Sequence, residues 1–346
     1  MTKTLAYFRW PFLFTAIGLA LAFWLGYHTT GTFAGGLSFF FLGSILAVLE
    51  ISLSFDNAIV NANILKTMDE KWQHRFLTWG IVIAVFGMRI VFPLAVVAIA
   101  AKIGPVSAMI LAATDPLQYA HIMEEAHIGI SAFGGTFLMM VALTFFFDQS
   151  KEVDWIRLIE CRLRSWASIR GLEIAFVLTA ALLLSAALPD EDSATFLFAA
   201  VFGMVTFLAV ELVAHILNSQ KEAQTMAAKG GFGAFLYLEI LDASFSFDGV
   251  IGAFALTQNL FLIAIGLGIG AFYVRSMTIM LVERETLSEF RYLEHGAFYS
   301  VLALSMIMYA QSLWHVPELF TGLIGASLIG LSLYSSIRHN KANLSA

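Results

Sequence analysis

Glu50-Ile51-Ser52-Leu53-Ser54-Phe55-Asp56-Asn57 places two carboxylates inside an apolar run from about Leu37 to Leu65. The pattern recurs. Asp242-Ala243-Ser244-Phe245-Ser246-Phe247-Asp248-Gly249 lies in a second apolar run, from about Phe232 to Leu256. In each copy an acid stands six residues before the Asp of a Ser-Phe-Asp triplet, and an isoleucine, Ile59 or Ile251, follows three residues after that Asp. A charged side chain at the centre of a bilayer costs roughly 2.5–3.5 kcal/mol or more unless it is paired, hydrated or liganded, so acids in such runs mark functional sites by default.

Around these motifs the composition fixes the class. Charged residues make up 13% of the chain and hydrophobic ones 59%, with a mean hydropathy of +0.82. A soluble domain carries about 25% charged residues, and several apolar runs approach the ~20 residues that span a bilayer. The strand alternation of a membrane barrel is absent. The expected fold is all-α: a polytopic membrane helix bundle of about ten spans, forming one membrane domain over residues 1–346. The spans are expected at about Trp10–Tyr27, Leu37–Leu65, Leu77–Ala101, Gly129–Phe147, Gly171–Leu188, Ala194–Leu217, Phe232–Leu256, Leu260–Val282, Gly296–Leu313 and Leu319–Ile337. The first is read as an uncleaved span and not a signal peptide, because no clean cleavage site follows it.

Basic residues orient the layout. With the N-terminus on the cytoplasmic side, the inner connections hold Lys66, Lys71, Arg75, Lys151, Arg157, Arg162, Arg164 and Arg170 among others, and the outer ones hold Lys102 alone. Both termini are therefore expected in the cytoplasm, in a multi-pass protein of the cell (inner or plasma) membrane. The outer segment from Lys102 to Ile128 is expected to form a short helix at the outer face. The inner connector 148–170 alternates Trp155, Ile156, Leu158, Ile159, Leu163 and Trp166 with basic residues, the pattern of an interfacial amphipathic helix.

The motifs belong to a longer repeat, 36–147 against 232–313. Gly80 to Arg89 matches Gly266 to Arg275, a glycine nine residues before an arginine within a span. The matched spans are five apart, an odd number, so the second copy crosses in the opposite direction. Inverted-topology repeats are common in secondary transporters, with the ligand site near the midplane where the repeats meet.

On an unbroken helix Glu50, Ser54, Asn57 and Asn61 share one stripe, and Asp56 points about 100° away from Asn57. Either the helix unwinds near Phe55–Asn57 or the ligand sits between helices. In the second copy Glu239, Asp242 and Ser246 share a stripe, and Asp248-Gly249 would permit a break. The candidate metal ligands are Glu50, Asp56, Asn57, Asp242 and Asp248, supported by Ser54, Ser246 and Glu239. An oxygen-only set suits Mn²⁺, Mg²⁺ or Ca²⁺. Arg89 and Arg275 can neutralise some of the acids and others can carry protons, which allows H⁺ antiport. Alternatively the acids and arginines tie helices together and nothing more. Asn61 and Asn63 read better as interhelical hydrogen-bonding residues than as ligands. His121, Glu124, Glu125 and His127 read better as a solvated loop face than as a cation site.

At Glu50…Leu-Ser-Phe-Asp56-Asn57 and Asp242…Phe-Ser-Phe-Asp248 the sequence resembles the TerC family of integral membrane proteins, over about residues 36–315. It looks closest to a branch of largely unassigned function. The resemblance implies a fold like that of the LysE superfamily of exporters. It also implies export of metal ions, chiefly Mn²⁺, a historical link to tellurite resistance, and the five motif residues as ligands. The sequence departs from the family pattern in carrying Gly249 where many members have Ser, and in extra spans at its ends.

Three functions are set against one another. The first is a secondary transporter exporting a divalent cation, Mn²⁺ favoured, with H⁺ as coupling ion, no permanently bound cofactor and the lipid bilayer as its surroundings. The second is a non-transporting component of a metal or tellurite stress-response complex. The third is an intramembrane aspartyl protease, against which stands the absence of its Gly-x-Gly-Asp motif; no enzyme is expected. The dispersed basic residues exclude nucleic-acid binding. A single cysteine, Cys161, excludes an internal disulfide and a cysteine metal cluster. A homo-oligomer stays open, since Gly266, Gly268 and Gly270 would pack helices within or between protomers.

Overall fold

The computed structural model describes residues 5–66, 68–149, 151, 153–169, 171–222, 231–284, 290–314, 316 and 318–344. At helical positions 52, 53, 77, 81, 84, 100, 213–222, 244, 246–248, 251, 252, 254, 255, 318, 319 and 342–344 only the backbone is described. Among the described residues every regular element is helical. In chain order they are α1 (Arg9–Thr30, led in by a 3₁₀ turn at Ala6–Phe8), α2 (Phe33–Leu53), α3 (Phe55–Leu65) and α4 (Glu70–Val82). A π-helical stretch at Ile83–Val91 leads into α5 (Phe92–Ala100), then α6 (Pro105–Thr114), α7 (Pro116–Glu125) and α8 (His127–Phe147). After these come α9 (Arg157–Trp166), α10 (Leu172–Ser185), α11 (Asp190–Glu222), α12 (Phe232–Leu256), α13 (Leu260–Glu283), α14 (Leu293–Gln311) and α15 (Glu318–Leu344).

Helices occupy all ten expected stretches. Six helices of the described residues are long and apolar enough to cross a bilayer, and seven if α4 to α5 counts as one bent span. This is a polytopic helical membrane protein. The chain forms two compact units. Unit 1 comprises residues 1–58, 73–127 and 245–280; unit 2 comprises 59–72, 128–244 and 281–346.

Local signals explain the boundaries. Between α1 and α2, Gly31 takes φ +67° and its N–H bonds the Tyr27 carbonyl, a left-handed C-cap that a side chain would disfavour. Thr32 then caps α2, its hydroxyl accepting from Gly35 N–H at 3.1 Å. The expected third span differs from a straight helix: Glu70–Gly80 and Val85–Ile99 meet at 43°, with the π-helical turns between them. Bends in helices commonly arise at such π insertions. The segment after α5 forms two helices where one was expected. Pro105 and Pro116 each start one, and Asp115 caps the second by accepting from Gln118 N–H.

Burial separates interior from peripheral helices. The most apolar windows of α8 and α13 are each 72% buried, whereas those of α1 and α15 are 17% and 22% buried. In unit 1, α1 packs on α13 through Phe14 stacked on Phe272 and Thr15 bonded to Tyr273. In unit 2, α8 forms the core, with Thr136 hydrogen-bonded to the Tyr309 hydroxyl and Phe145 stacked on Phe298.

Candidate metal-cation site

The first motif is broken where the sequence allowed a break, one residue early. α2 ends at Leu53, α3 begins at Phe55, and Ser54 between them has φ −100° and ψ 16°. The two helix ends bring different groups into one buried region of unit 1. Glu50 lies in the last turn of α2, and Asp56 and Asn57 in the first turn of α3; all three are buried. An acid in a first turn is stabilised by the helix dipole, and Asp56 Oδ1 accepts the Asn57 N–H at 2.8 Å. Ser54 donates its hydroxyl to Glu50 Oε1 at 3.2 Å. Arg89, buried in the π-helical stretch, makes an ion pair and a hydrogen bond to the same oxygen. The side-chain oxygen of Asn57 is buried with no hydrogen-bond partner among the described residues. π-helical turns are frequent at functional sites because they re-aim side chains out of the 3.6-residue register. Here the re-aimed side chain is the arginine facing Glu50.

Glycines let two further helices reach Glu50. A β-carbon built on Gly270 of α13 would overlap the β- and γ-carbons of Glu50, and one on Gly249 of α12 would lie 3.1 Å from its Oε2. Two glycines of α13 thus pack against α2 within the chain: Gly266 meets Leu46 as Gly270 meets Glu50. Arg275, the repeat counterpart of Arg89, is buried with its guanidinium 4.0 Å from the Phe76 ring centre, a cation–π contact.

The second motif does not use the break that its sequence permits. α12 runs without interruption from Phe232 to Leu256, so Asp248-Gly249 makes no break. The side chains of Ser246 and Asp248 lie outside the described residues. Glu239 and Asp242 belong to unit 2, where both are buried. Asp242 Oδ1 accepts from Asn61 Nδ2 at 2.6 Å, and Asn63 Nδ2 donates to Glu294 at 2.7 Å. Asn61 and Asn63 therefore act as hydrogen-bonding residues between elements. Among the described residues no three His, Cys, Asp or Glu side chains gather as a metal cage. On α7, His121 and Glu125 form an exposed pair, the solvated face expected there.

Sequence reasoning missed a further buried glutamate. Glu160 of α9 is fully buried. Its Oε2 receives Lys151 Nζ at 2.8 Å and lies 2.9 Å from His295 Nδ1; its Oε1 accepts the N–H groups of Trp155 and Ile156. Burial pushes its carboxyl up, but the bonds from His295, Lys151 and Ile156 outweigh burial and hold it at about 2. Next to His295, Glu294 is shifted the other way: burial raises it, against the smaller pull of His295, Lys66 and Asn63. The only sequence signal for this cluster was one acid in the middle of a basic amphipathic helix.

A family model described as a protein of unknown function, DUF475, matches residues 55–343. The chain belongs to the DUF475 family. No curated protein and no solved structure matches it. The DUF475 match covers all of α3 to α14, and so includes Asp56, Asn57, Arg89 and the whole second motif, and leaves Glu50 just outside.

Proposed function

We propose that this chain is a secondary transporter exporting a divalent metal cation, with Mn²⁺ the favoured cargo and H⁺ the coupling ion. The observation that carries this reading is the broken first motif. It collects Glu50, Asp56 and the buried oxygen of Asn57, unpartnered among the described residues, at two facing helix ends. Interrupted helices whose ends supply ion ligands are the recurring device of such transporters. The donors are all hard oxygens, and Asp56 and Glu50 supply the negative charge that Mn²⁺, Mg²⁺ or Ca²⁺ requires. Arg89 supplies the alternative counter-charge. In the empty protein its guanidinium holds Glu50; an arriving cation competes for the same carboxylate, and protonation or the return of Arg89 releases the ion. Asp248, and Asp242 held by Asn61, are assigned ligand roles by their places in the second motif alone.

The reading includes ten spans in an inverted-topology repeat, both termini in the cytoplasm, and the inner or plasma membrane as the location. It agrees with the resemblance to the TerC family. A second reading, a non-transporting component of a membrane stress-response complex, draws on the lack of a three-residue His, Cys, Asp or Glu cluster among the described residues.

The deciding experiment measures Mn²⁺, Mg²⁺ and Ca²⁺ efflux from cells expressing the wild type or Asp56→Asn at matched membrane levels. Removing a ligand carboxylate is expected to lower cation affinity by at least the roughly 10- to 100-fold that losing an outer-shell partner costs. Equal flux in wild type and variant rejects transport through this site and leaves the second reading.

A further inference from the structure

The connector helix α9 withdraws its acid from the surface and leaves large apolar side chains outside. Glu160 and Arg164 turn inward. Glu160 is fully buried between Lys151 and His295, and Arg164 donates to the Lys151 carbonyl at 2.6 Å and to Asp154 Oδ2 at 2.5 Å. Its apolar side faces outward: Leu158 is 79% exposed, Ile159 47% and Trp166 45%, and Ile169 just beyond the helix is exposed as well. A helix bathed in water would bury these side chains and expose its acid. Two cations, Arg157 and Arg162, stay exposed beside the apolar side chains. The helix has a single acid, Glu160, and it is the residue withdrawn from the surface.

We infer that α9 is a lipid-headgroup binding element that selects anionic phospholipids. Leu158, Ile159 and Trp166 enter the boundary between headgroups and acyl chains, as the apolar face of an interfacial helix does. Arg157 and Arg162 then meet lipid phosphates, which the planar guanidinium can bind through two donors. The buried Glu160 cluster fixes the helix in this orientation. Charge decides between a lipid surface and a second copy of the chain as the occupant: two such faces would oppose arginine to arginine, whereas anionic headgroups complement them.

Cys161 provides the readout, being the chain's single cysteine and exposed on α9. The full-length protein, labelled there with an environment-sensitive fluorophore, is reconstituted in phosphatidylcholine nanodiscs with increasing phosphatidylglycerol. The probe is expected to move to a less polar setting as the anionic lipid rises. The half-saturating phosphatidylglycerol fraction should increase by roughly fivefold for each of Arg157→Gln and Arg162→Gln. Both guanidiniums are exposed, so thermal unfolding of the variants should match the wild type, which separates lost lipid binding from lost folding. A probe signal identical in the two lipids, or unchanged by R157Q/R162Q, overturns the inference. So does a short label-to-label distance between two Cys161 spin labels in doubly loaded discs, which would assign the face to a second copy.

Discussion

Glu50 and Glu160 are both buried glutamates paired with a long basic side chain, yet they are held in opposite ways. The groups that hold Glu160 spread over both oxygens: Lys151 donates to one, with His295 Nδ1 2.9 Å from it, and two backbone N–H groups donate to the other. Among the described residues the donors to Glu50, Ser54 and Arg89, gather on Oε1, while Oε2 is turned to Gly249, which has no side chain to donate. A carboxylate saturated by fixed donors is a structural clasp. One whose second oxygen faces a bare α-carbon, at a helix break, can change partners. Burial alone does not separate the two kinds of acid; the distribution of donors does.

The largest expected effect tests how tightly Glu50 depends on its cation. Arg89→Met leaves a carboxylate buried beside an apolar side chain, which should cost about 3–5 kcal/mol, and adding Glu50→Gln should recover most of it. Thermal unfolding of the detergent-solubilised protein measures both. A loss of stability under ~1 kcal/mol in the single variant would show that Arg89 is not what compensates Glu50.

Next comes Glu160→Gln, which weakens charge-assisted bonds worth about 1.5–3 kcal/mol each. Its acidity fixes the pH window. The folded value of about 2 lies below the ordinary 4.5, so the carboxylate's contribution is fully present above pH ~4.5 and is lost as pH falls through about 2. The stability gap between wild type and variant should hold constant from neutral pH down to about 5 and close below that. The contrast between the two glutamates breaks if Glu160→Gln stops cation flux while Glu50→Gln leaves it intact.

A smaller effect separates two neighbouring glycines. Gly270→Ala forces a methyl into the Glu50 side chain and should cost about 1–3 kcal/mol. Among the described residues Gly268→Ala meets only Val85 Cγ1, at 3.4 Å, and should be close to neutral. Equal stabilities for the two variants would refute the packing of α13 on Glu50. Smallest of all, Ser54→Ala removes one hydroxyl donor from Glu50 and should cost about 1 kcal/mol. Its expected signature in flux is a shifted pH dependence at unchanged maximal rate.

Much of this was legible in the sequence because the bilayer makes polar residues conspicuous. Glu50, Asp56, Asp242 and Arg89 stand out against Leu, Phe and Ile, and their spacing within the repeat needs no structure to be seen. Helix-wheel geometry restricted the first motif to two options, and the break at Ser54 is one of them. The unbroken α12 was not legible. Gly249 permits a break but does not require one, and Asp248-Gly249 sits well inside a long apolar run. The π-helical turns around Arg89 were equally hidden, since an inserted residue leaves the apolar pattern intact. Glu160 and His295 are far apart in sequence and lie in polar surroundings, where an acid and a histidine draw no notice. The unusual step, turning the acid of an amphipathic helix inward, follows from their partnership and from nothing in α9 alone.

The contact between Thr15 and Tyr273 spans 258 residues of chain. At 5–20 residues per second of synthesis, α1 waits roughly ten to fifty seconds before the helix it packs on has been made. Through that interval its neighbours are α2 and lipid. An all-round apolar surface, with a mean hydropathy of 1.5 over its spanning window, suits a helix that must persist in the bilayer long before its tertiary partner exists.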